Sequence, residues 1–102
     1  MKRNNLLFIP HPLEMRLDVY LKMSRLVPRR TIAQQMCEAG AVTVNGARAK
    51  SSREVRAGDE LAIRQRGRIT TVRVLDVPER PPSKARAASL YETLSVASYD
   101  NG

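Results

Sequence analysis

The sequence lacks tryptophan and has one phenylalanine, one cysteine and one histidine among its 102 residues. A single cysteine excludes an internal disulfide, which fits a reducing compartment such as the cytoplasm. Binding of single-stranded nucleic acid by stacking needs several exposed rings, so the shortage of aromatics disfavours that mode. No run is apolar and long enough to cross a membrane or to form the core of a signal peptide. The chain is therefore expected to be one small cytoplasmic domain without membrane association.

The sequence also offers little for catalysis. His11 lies in a stretch interrupted by prolines, so a histidine acting as base or nucleophile is nearly excluded. Cysteine and histidine do not cluster at the spacing of a zinc site, and the glycines are isolated in turns instead of forming a phosphate-binding loop. Cys37 is expected to be a buried apolar residue of a helix. We therefore predict that the protein is not an enzyme and uses no metal or cofactor.

Positive charge is what the chain has in excess. The 18 Lys and Arg outnumber the 10 Asp and Glu, for a net charge of +8. Residues 15–75 hold 13 basic and 5 acidic residues, so the whole net charge falls on the part that is predicted to fold. A basic globular surface mostly indicates a partner rich in phosphate, or an anionic lipid. Solubility alone is the less favoured explanation.

Apolar periodicity predicts two helices joined by a short turn. The first is predicted over about residues 17–26, with Pro28 ending it, because a stripe at helical spacing is formed by Leu17, Tyr20, Leu21 and Ser24. The second runs from residue 30 or 31 to 39 and is closed by Gly40 in the left-handed conformation. Its apolar face is Ile32, Ala33, Met36 and Cys37. Thr31 and Gln34 have the spacing of a capping box at its start.

The pattern after the helices is typical of short strands. Val42 and Val44 precede Asn45–Gly46, the strongest short hairpin signal, and further turns are predicted at Gly58–Asp59 and Arg66–Gly67. Residues 77–86 are predicted to be an extended basic linker rich in proline. A short helix over 87–94 and a frayed tail over 95–102 follow. Residues 1–14 are predicted to be a disordered extension, or a stretch that precedes a true start at Met15.

The basic residues fall into groups along these elements. One lies on the predicted helices and the turn between them, and consists of Arg16, Lys22, Arg25, Arg29 and Arg30. The next follows the Asn–Gly turn and includes Lys50 and Arg53. Because the planar arginine fork can bond two phosphate oxygens at once, these seven side chains are the predicted RNA-binding residues. Asp18 is the one acid near the first group and is expected to cap a helix or orient Arg16. Whether a later group extends the same surface or points away from it stays open, and this group consists of Arg64, Arg66 and Arg68. For every group, the alternative to RNA binding is a basic face that only contacts solvent.

Four segments, in this order and spacing, resemble the S4 RNA-binding domain over about residues 15–64. They are Arg16-Leu17-Asp18, Arg30-Thr31-x-Ala33, the run from Gly40 to Gly46, and Gly58-Asp59-Glu60-Leu61. The chain departs from many members at Arg29, where they have serine. The resemblance implies an α+β fold of the S4 type, with a two-helix hairpin packed on a small, mainly antiparallel sheet and a short C-terminal helix. Residues 15–76 would form this domain.

The Arg29-Arg30-Thr31 run and the segment 87–94 extend the resemblance to the RqcP group of short S4 proteins, over about residues 15–94. That resemblance implies binding of 23S rRNA and tRNA on large ribosomal subunits obstructed by peptidyl-tRNA. It also implies support for alanine tailing by a partner factor in bacterial ribosome-associated quality control. By motif position Arg16 and Arg30 would be the first RNA contacts, then Arg25 and Arg29, with Asp18 in support. We expect a monomer.

Other functions stay open at this stage. A heat-shock-type factor would recycle the large subunit without tailing, but such proteins usually carry a longer basic tail. A generic binder of structured RNA would share the fold and the basic face. An RNA-modifying enzyme would need a catalytic domain, and only 27 residues follow Leu75. A DNA-binding helix pair fits poorly with Pro28 and the strands that follow.

Overall fold

The structure, a computed structural model, describes residues 14–99, in which a short strand and two helices are followed mainly by strands. The helices are α1 (Leu17–Met23), α2 (Arg30–Glu38) and α3 (Lys84–Ala87), the last continued by a 3-10 turn over Ala88–Leu90. The strands are β1 (Met15–Arg16), β2 (Val42–Val44), β3 (Ala47–Arg48), β4 (Glu54–Val55), β5 (Glu60–Gln65), β6 (Arg68–Val74) and β7 (Tyr91–Ser98). The predicted extension lies outside the described residues except for Glu14.

Five strands form an antiparallel sheet in the order β3-β2-β5-β6-β7, and β1 pairs with β4 in a separate two-stranded ladder. Leu61 at the centre lies opposite Val44 on one side and Val72 on the other. These side chains are fully or almost fully buried, whereas their neighbours along each strand are more exposed. The predicted alternation, the hairpin at Asn45–Gly46 and the turns at Gly58 and Gly67 are confirmed.

The core lies between this sheet and the helices. The predicted stripe of the first helix is confirmed, since its members are fully or almost fully buried: Leu17, Tyr20, Leu21 and Ser24. The Tyr20 hydroxyl donates a 2.7 Å hydrogen bond to the carbonyl of Leu90, which joins α1 to the turn after α3. Burial raises the pKa of Tyr20 far above its usual value, so the hydroxyl keeps its proton. Cys37 is buried, as predicted.

Two details of the helical hairpin differ from the prediction. α1 ends at Met23 and not near residue 26, because Ser24 caps it and Arg25 takes a left-handed conformation with φ of 63°. The predicted capping box is wrong: Arg29 is the N-cap residue of α2 and no side chain caps it. The amide of Gln34 instead donates a hydrogen bond to Asp18.

The C-terminal part of the fold differs more from the sequence prediction than the helical hairpin does. A short C-terminal helix is present, but it begins at Lys84 within the predicted linker, and its 3-10 continuation ends at Leu90. Residues 91–98 form β7, which pairs with the edge of β6, so the predicted helix is corrected to a strand from residue 91 and the predicted tail to a strand over 95–98. The last three residues of that tail lie outside the described residues. Ala87 and Leu90 are buried as the anchors of this segment. Within residues 14–99, no helix has the length and apolar character to cross a membrane.

Candidate nucleic-acid interface

Asp18 in the first turn of α1 is the centre of a hydrogen-bonded group. Its side chain is fully buried, and both of its oxygens accept hydrogen bonds. Arg16 donates from Nε and Nη2 at 3.1 Å each, Arg30 from Nε at 3.2 Å, and Gln34 from its amide at 2.9 Å. Arg16 precedes α1, whereas Arg30 and Gln34 lie one turn apart on α2. We call these four residues the Asp18 cluster.

The two arginines of the Asp18 cluster keep part of their guanidinium groups in solvent. Their side chains are 43% exposed for Arg16 and 49% for Arg30, although the carboxylate between them has no exposed surface. A guanidinium carries five N–H donors, of which Arg16 uses two and Arg30 one toward Asp18. The remaining donors can bind an external anion. Because Asp18 holds both side chains, less conformational entropy is lost when they do so.

The charge state of the Asp18 cluster follows from these contacts. Burial raises the pKa of Asp18, but the hydrogen bonds from Arg16, Gln34 and Arg30 outweigh it and lower the pKa to about 2. The same carboxylate, by its hydrogen bond and its charge, raises the pKa of Arg16. At neutral pH the cluster therefore holds one negative and two positive charges, and it presents a net positive charge to solvent.

The low pKa of Asp18 predicts a pH dependence of stability. A carboxyl whose pKa is 3.8 when unfolded and about 2 when folded stabilises the fold above pH 3.8, and this contribution is lost as the pH falls toward 2. The free energy of unfolding that is lost with this contribution is on the order of 2 kcal/mol. We expect the difference in free energy of unfolding between wild type and Asp18→Asn, measured in urea at pH 7, 4 and 2.5, to narrow as the pH falls. A constant difference would contradict the charged state of Asp18.

Lys50 and Arg53 lie beside the Asp18 cluster, on the loop between β3 and β4. The backbone N–H of Leu17 donates to the carbonyl of Arg53 at 2.8 Å, and that of Asp18 to the carbonyl of Ser51 at 3.1 Å. These bonds join the loop to the first turn of α1. The structure therefore brings the second predicted group close to the first, and both of its side chains are exposed.

The remaining predicted residues lie on the same helical hairpin as the cluster. Lys22 lies on α1, Arg25 in the loop after it, and Arg29 immediately before α2, and all three are exposed. Among residues 14–99, none of them forms an ion pair with a carboxylate. The side chain of Arg48, in contrast, is held within the fold, because its Nη2 donates a 2.8 Å hydrogen bond to the carbonyl of Glu38 at the end of α2.

A groove with both polar and apolar lining adjoins the cluster, between α2 and the segment 48–52. Its volume is about 890 Å³ and its walls include Thr31, Gln34, Gln35, Lys50 and Ser52. Sequence reasoning missed this groove and assigned Gln34 to a helix cap. The spacing of Arg30 and Gln34, four residues apart on one helical face, is the signal that could have placed them together.

The fold and the Asp18 cluster define a small basic α+β binding module whose accessible chemistry is hydrogen bonding to anions. Within residues 14–99, no group of three or more His, Cys, Asp or Glu side chains is placed to hold a metal ion. The family model of the S4 domain matches residues 15–61. The chain belongs to the S4 domain family, in the branch that contains the relatives described next.

Several relatives bear the name RQC P-site tRNA stabilizing factor. The one from Halalkalibacterium halodurans is 49% identical over 78 residues, which are 76% of this chain and 88% of the relative. The one from Bacillus subtilis is 41% identical over 80 residues, 78% of this chain and 92% of the relative. Among solved structures, the trimeric Heat Shock Protein 15 of Vibrio cholerae matches with a TM-score of 0.75 and 32% identity, over 80% of this chain and 83% of that one.

Proposed function

We propose that this protein is a non-catalytic RNA binder that contacts 23S rRNA and peptidyl-tRNA on obstructed large ribosomal subunits in the bacterial cytoplasm. The observation that carries the proposal is the Asp18 cluster, in which one buried carboxylate holds two half-exposed arginines. Arginine held in this way suits the backbone of folded RNA, which proteins recognise mainly through phosphates and shape. The names of the relatives from H. halodurans and B. subtilis supply the tRNA as a partner.

The binding surface would consist of the Asp18 cluster and the exposed cations around it. Arg16 and Arg30 would make the first phosphate contacts, with Asp18 fixing their geometry. Lys50 and Arg53 would add contacts from the loop that is hydrogen-bonded to α1. Lys22, Arg25 and Arg29 would extend the surface along α1 and the turn after it. On the large subunit the protein would support alanine tailing of the stalled chain by a partner factor.

A second candidate function is recycling of the large subunit without tailing. The likeness to Heat Shock Protein 15 of V. cholerae favours it. The tRNA stabilizing factors are 49% and 41% identical to this chain, against 38% for a Heat Shock Protein 15 that matches in sequence. The match covers 88% and 92% of those factors but 59% of that heat-shock protein, and this favours the first function.

Purification of the tagged protein from translating cells tests both candidates. We expect the tagged protein to sediment with large subunits that carry peptidyl-tRNA. The stranded chains should end in alanine tails, and fewer chains should carry such tails when the gene for the protein is deleted. The Arg16→Gln, Arg30→Gln double variant is the matched control and should be absent from these fractions. Large subunits with untailed chains would support recycling. Recovery only with small subunits or free nucleic acid would overturn the proposed function.

A further inference from the structure

A separate group of arginines lies at the turn between β5 and β6. Arg64, Arg66 and Arg68 are all exposed there, and we call them the turn patch. The amide of Gln65 lies 3.5 Å from the carbonyl oxygen of Leu26, so the turn contacts the loop that joins α1 to α2. The backbone N–H of Arg64 donates to the carbonyl of Ala41 at 2.8 Å, just after α2. The turn patch therefore adjoins the loop that carries Arg25 and leads to Arg29.

Some arginines of the fold pair with a carboxylate and others do not, and within residues 14–99 the turn patch belongs with Arg25 and Arg29 in the second group. Arg73 on the same strand β6 lies 3.2 Å from Glu60 and 3.4 Å from Glu92, and Arg86 lies 3.4 Å from Asp76. Within residues 14–99 no such ion pair involves a turn-patch residue. The guanidinium of Arg64 instead lies over the aromatic ring of Tyr99, with 4.7 Å between the Cζ of Arg64 and the ring centroid. Within residues 14–99, the turn thus concentrates positive charge without a carboxylate partner.

The backbone of the turn gives a second, independent observation. Arg66 and Gly67 both have positive φ, at 56° and 75°, as a two-residue hairpin turn requires. The other hairpin turn of the sheet places Asn45 and Gly46 at these positions, with φ of 52° and 85°. Asparagine is favoured there, whereas a residue such as arginine costs roughly 1–2 kcal/mol in the left-handed conformation. Folding alone would favour asparagine at position 66, so the arginine indicates a function for its side chain.

The space beside the turn suits a phosphate group. A depression of about 280 Å³ is lined by Gln65, Arg66, Arg68 and Thr70, which supply guanidinium, amide and hydroxyl donors. Two exposed guanidiniums at its wall match the fork-like recognition of phosphate oxygens.

We infer that the turn patch binds backbone phosphates of the RNA beyond those held by the Asp18 cluster. The protein then contacts its RNA at two surfaces, the Asp18 cluster and the turn patch, with the loop over residues 24–29 between them. This inference rests on the proposed function, because it names further contacts with the same partner. The contacts are to the backbone and therefore do not depend on base sequence.

The test compares two variants that each lose two positive charges. One is Arg66→Asn with Arg68→Gln in the turn patch, and the control is Arg73→Gln with Arg86→Gln, which removes arginines that already pair with carboxylates. Binding to purified large ribosomal subunits and to fluorescein-labelled tRNA is measured from 50 to 300 mM salt. We expect the turn-patch variant to bind about tenfold more weakly and to lose about two units of the slope of log K against log salt, one for each contact. The slope of log K against log salt should fall by less than half a unit in the control variant.

Arg66→Asn alone separates binding from folding. Asparagine suits the left-handed position, so the melting temperature should stay equal or rise while the salt slope falls by about one unit. Equal affinities and slopes for the turn-patch variant and the control would overturn the inference. If Arg16→Gln with Arg30→Gln still weakens binding in that case, the proposed function stands without the turn patch. Wild-type protein that binds neither probe would overturn both.

Discussion

Replacement of Arg16 and Arg30 by glutamine should weaken binding to large ribosomal subunits on the order of 100-fold. Each arginine is expected to donate charge-assisted hydrogen bonds to phosphate, and such bonds contribute about 1.5–3 kcal/mol each. The slope of log K against log salt should fall by about two units, because two phosphate contacts are lost. The measurement is a titration at several salt concentrations, well below the melting temperature of the variant.

Two controls separate the loss of contacts from the loss of charge and of folding. Arg73→Gln with Arg86→Gln removes the same charge elsewhere and should bind nearly as wild type. Arg16→Lys with Arg30→Lys keeps the charge but removes the fork, so we expect the salt slope to stay near that of wild type while affinity falls. The unfolding of each variant is followed in parallel, because Asp18 is buried and loses partners. Wild-type affinity of the glutamine variant would show that the Asp18 cluster is not the RNA contact.

Replacement of Leu21 by alanine should lower the free energy of unfolding by about 2–5 kcal/mol. The side chain of Leu21 is fully buried on the stripe of α1 that packs in the core. Truncation removes apolar burial and leaves a cavity that its neighbours fill only in part. Urea unfolding, followed by circular dichroism at neutral pH, measures the change.

Leu75→Ala is the matched control for this stability prediction. It removes the same atoms from a side chain that is 48% exposed, just after β6. We expect it to change the free energy of unfolding by less than 1 kcal/mol, because little buried surface is lost. Equal effects of the two substitutions would mean that the face of α1 assigned to the core is wrong.

Much of the fold could be predicted because it depends on local pattern. The spacing of Leu17, Tyr20 and Leu21 follows the period of a helix, and Asn45–Gly46 has the backbone freedom that a tight hairpin turn needs. The structure confirms both. The sequence prediction extends α1 too far because it relies on Pro28 as the end of the helix, whereas Arg25 turns the chain three residues earlier.

The C-terminal segment shows where local pattern is insufficient. Residues 87–94 have apolar side chains at helical spacing, but short apolar runs fit a helix or a strand equally well. The edge of β6 decides the outcome: β7 satisfies its backbone groups by pairing there from residue 91 onward. Leu90 is buried at the start of this pairing, and its carbonyl accepts the hydrogen bond from Tyr20, 70 residues away in sequence. Such a distant partner is not visible in a local window.

The sequence by itself determined the class of fold, the basic character of the surface and the residues that carry the charge. It also indicated that Asp18 caps a helix or orients Arg16, and the structure shows the contact with Arg16. Only the tertiary structure decided that Arg30 and Gln34 complete that group, because α1 must pack on α2 before side chains 12 and 16 residues away can reach one carboxylate. The same packing decided which arginines are held by a buried acid, which pair on the surface and which, among residues 14–99, have no carboxylate partner at the β5–β6 turn. Charge is a property of residue type, whereas its compensation depends on which side chains the fold brings together.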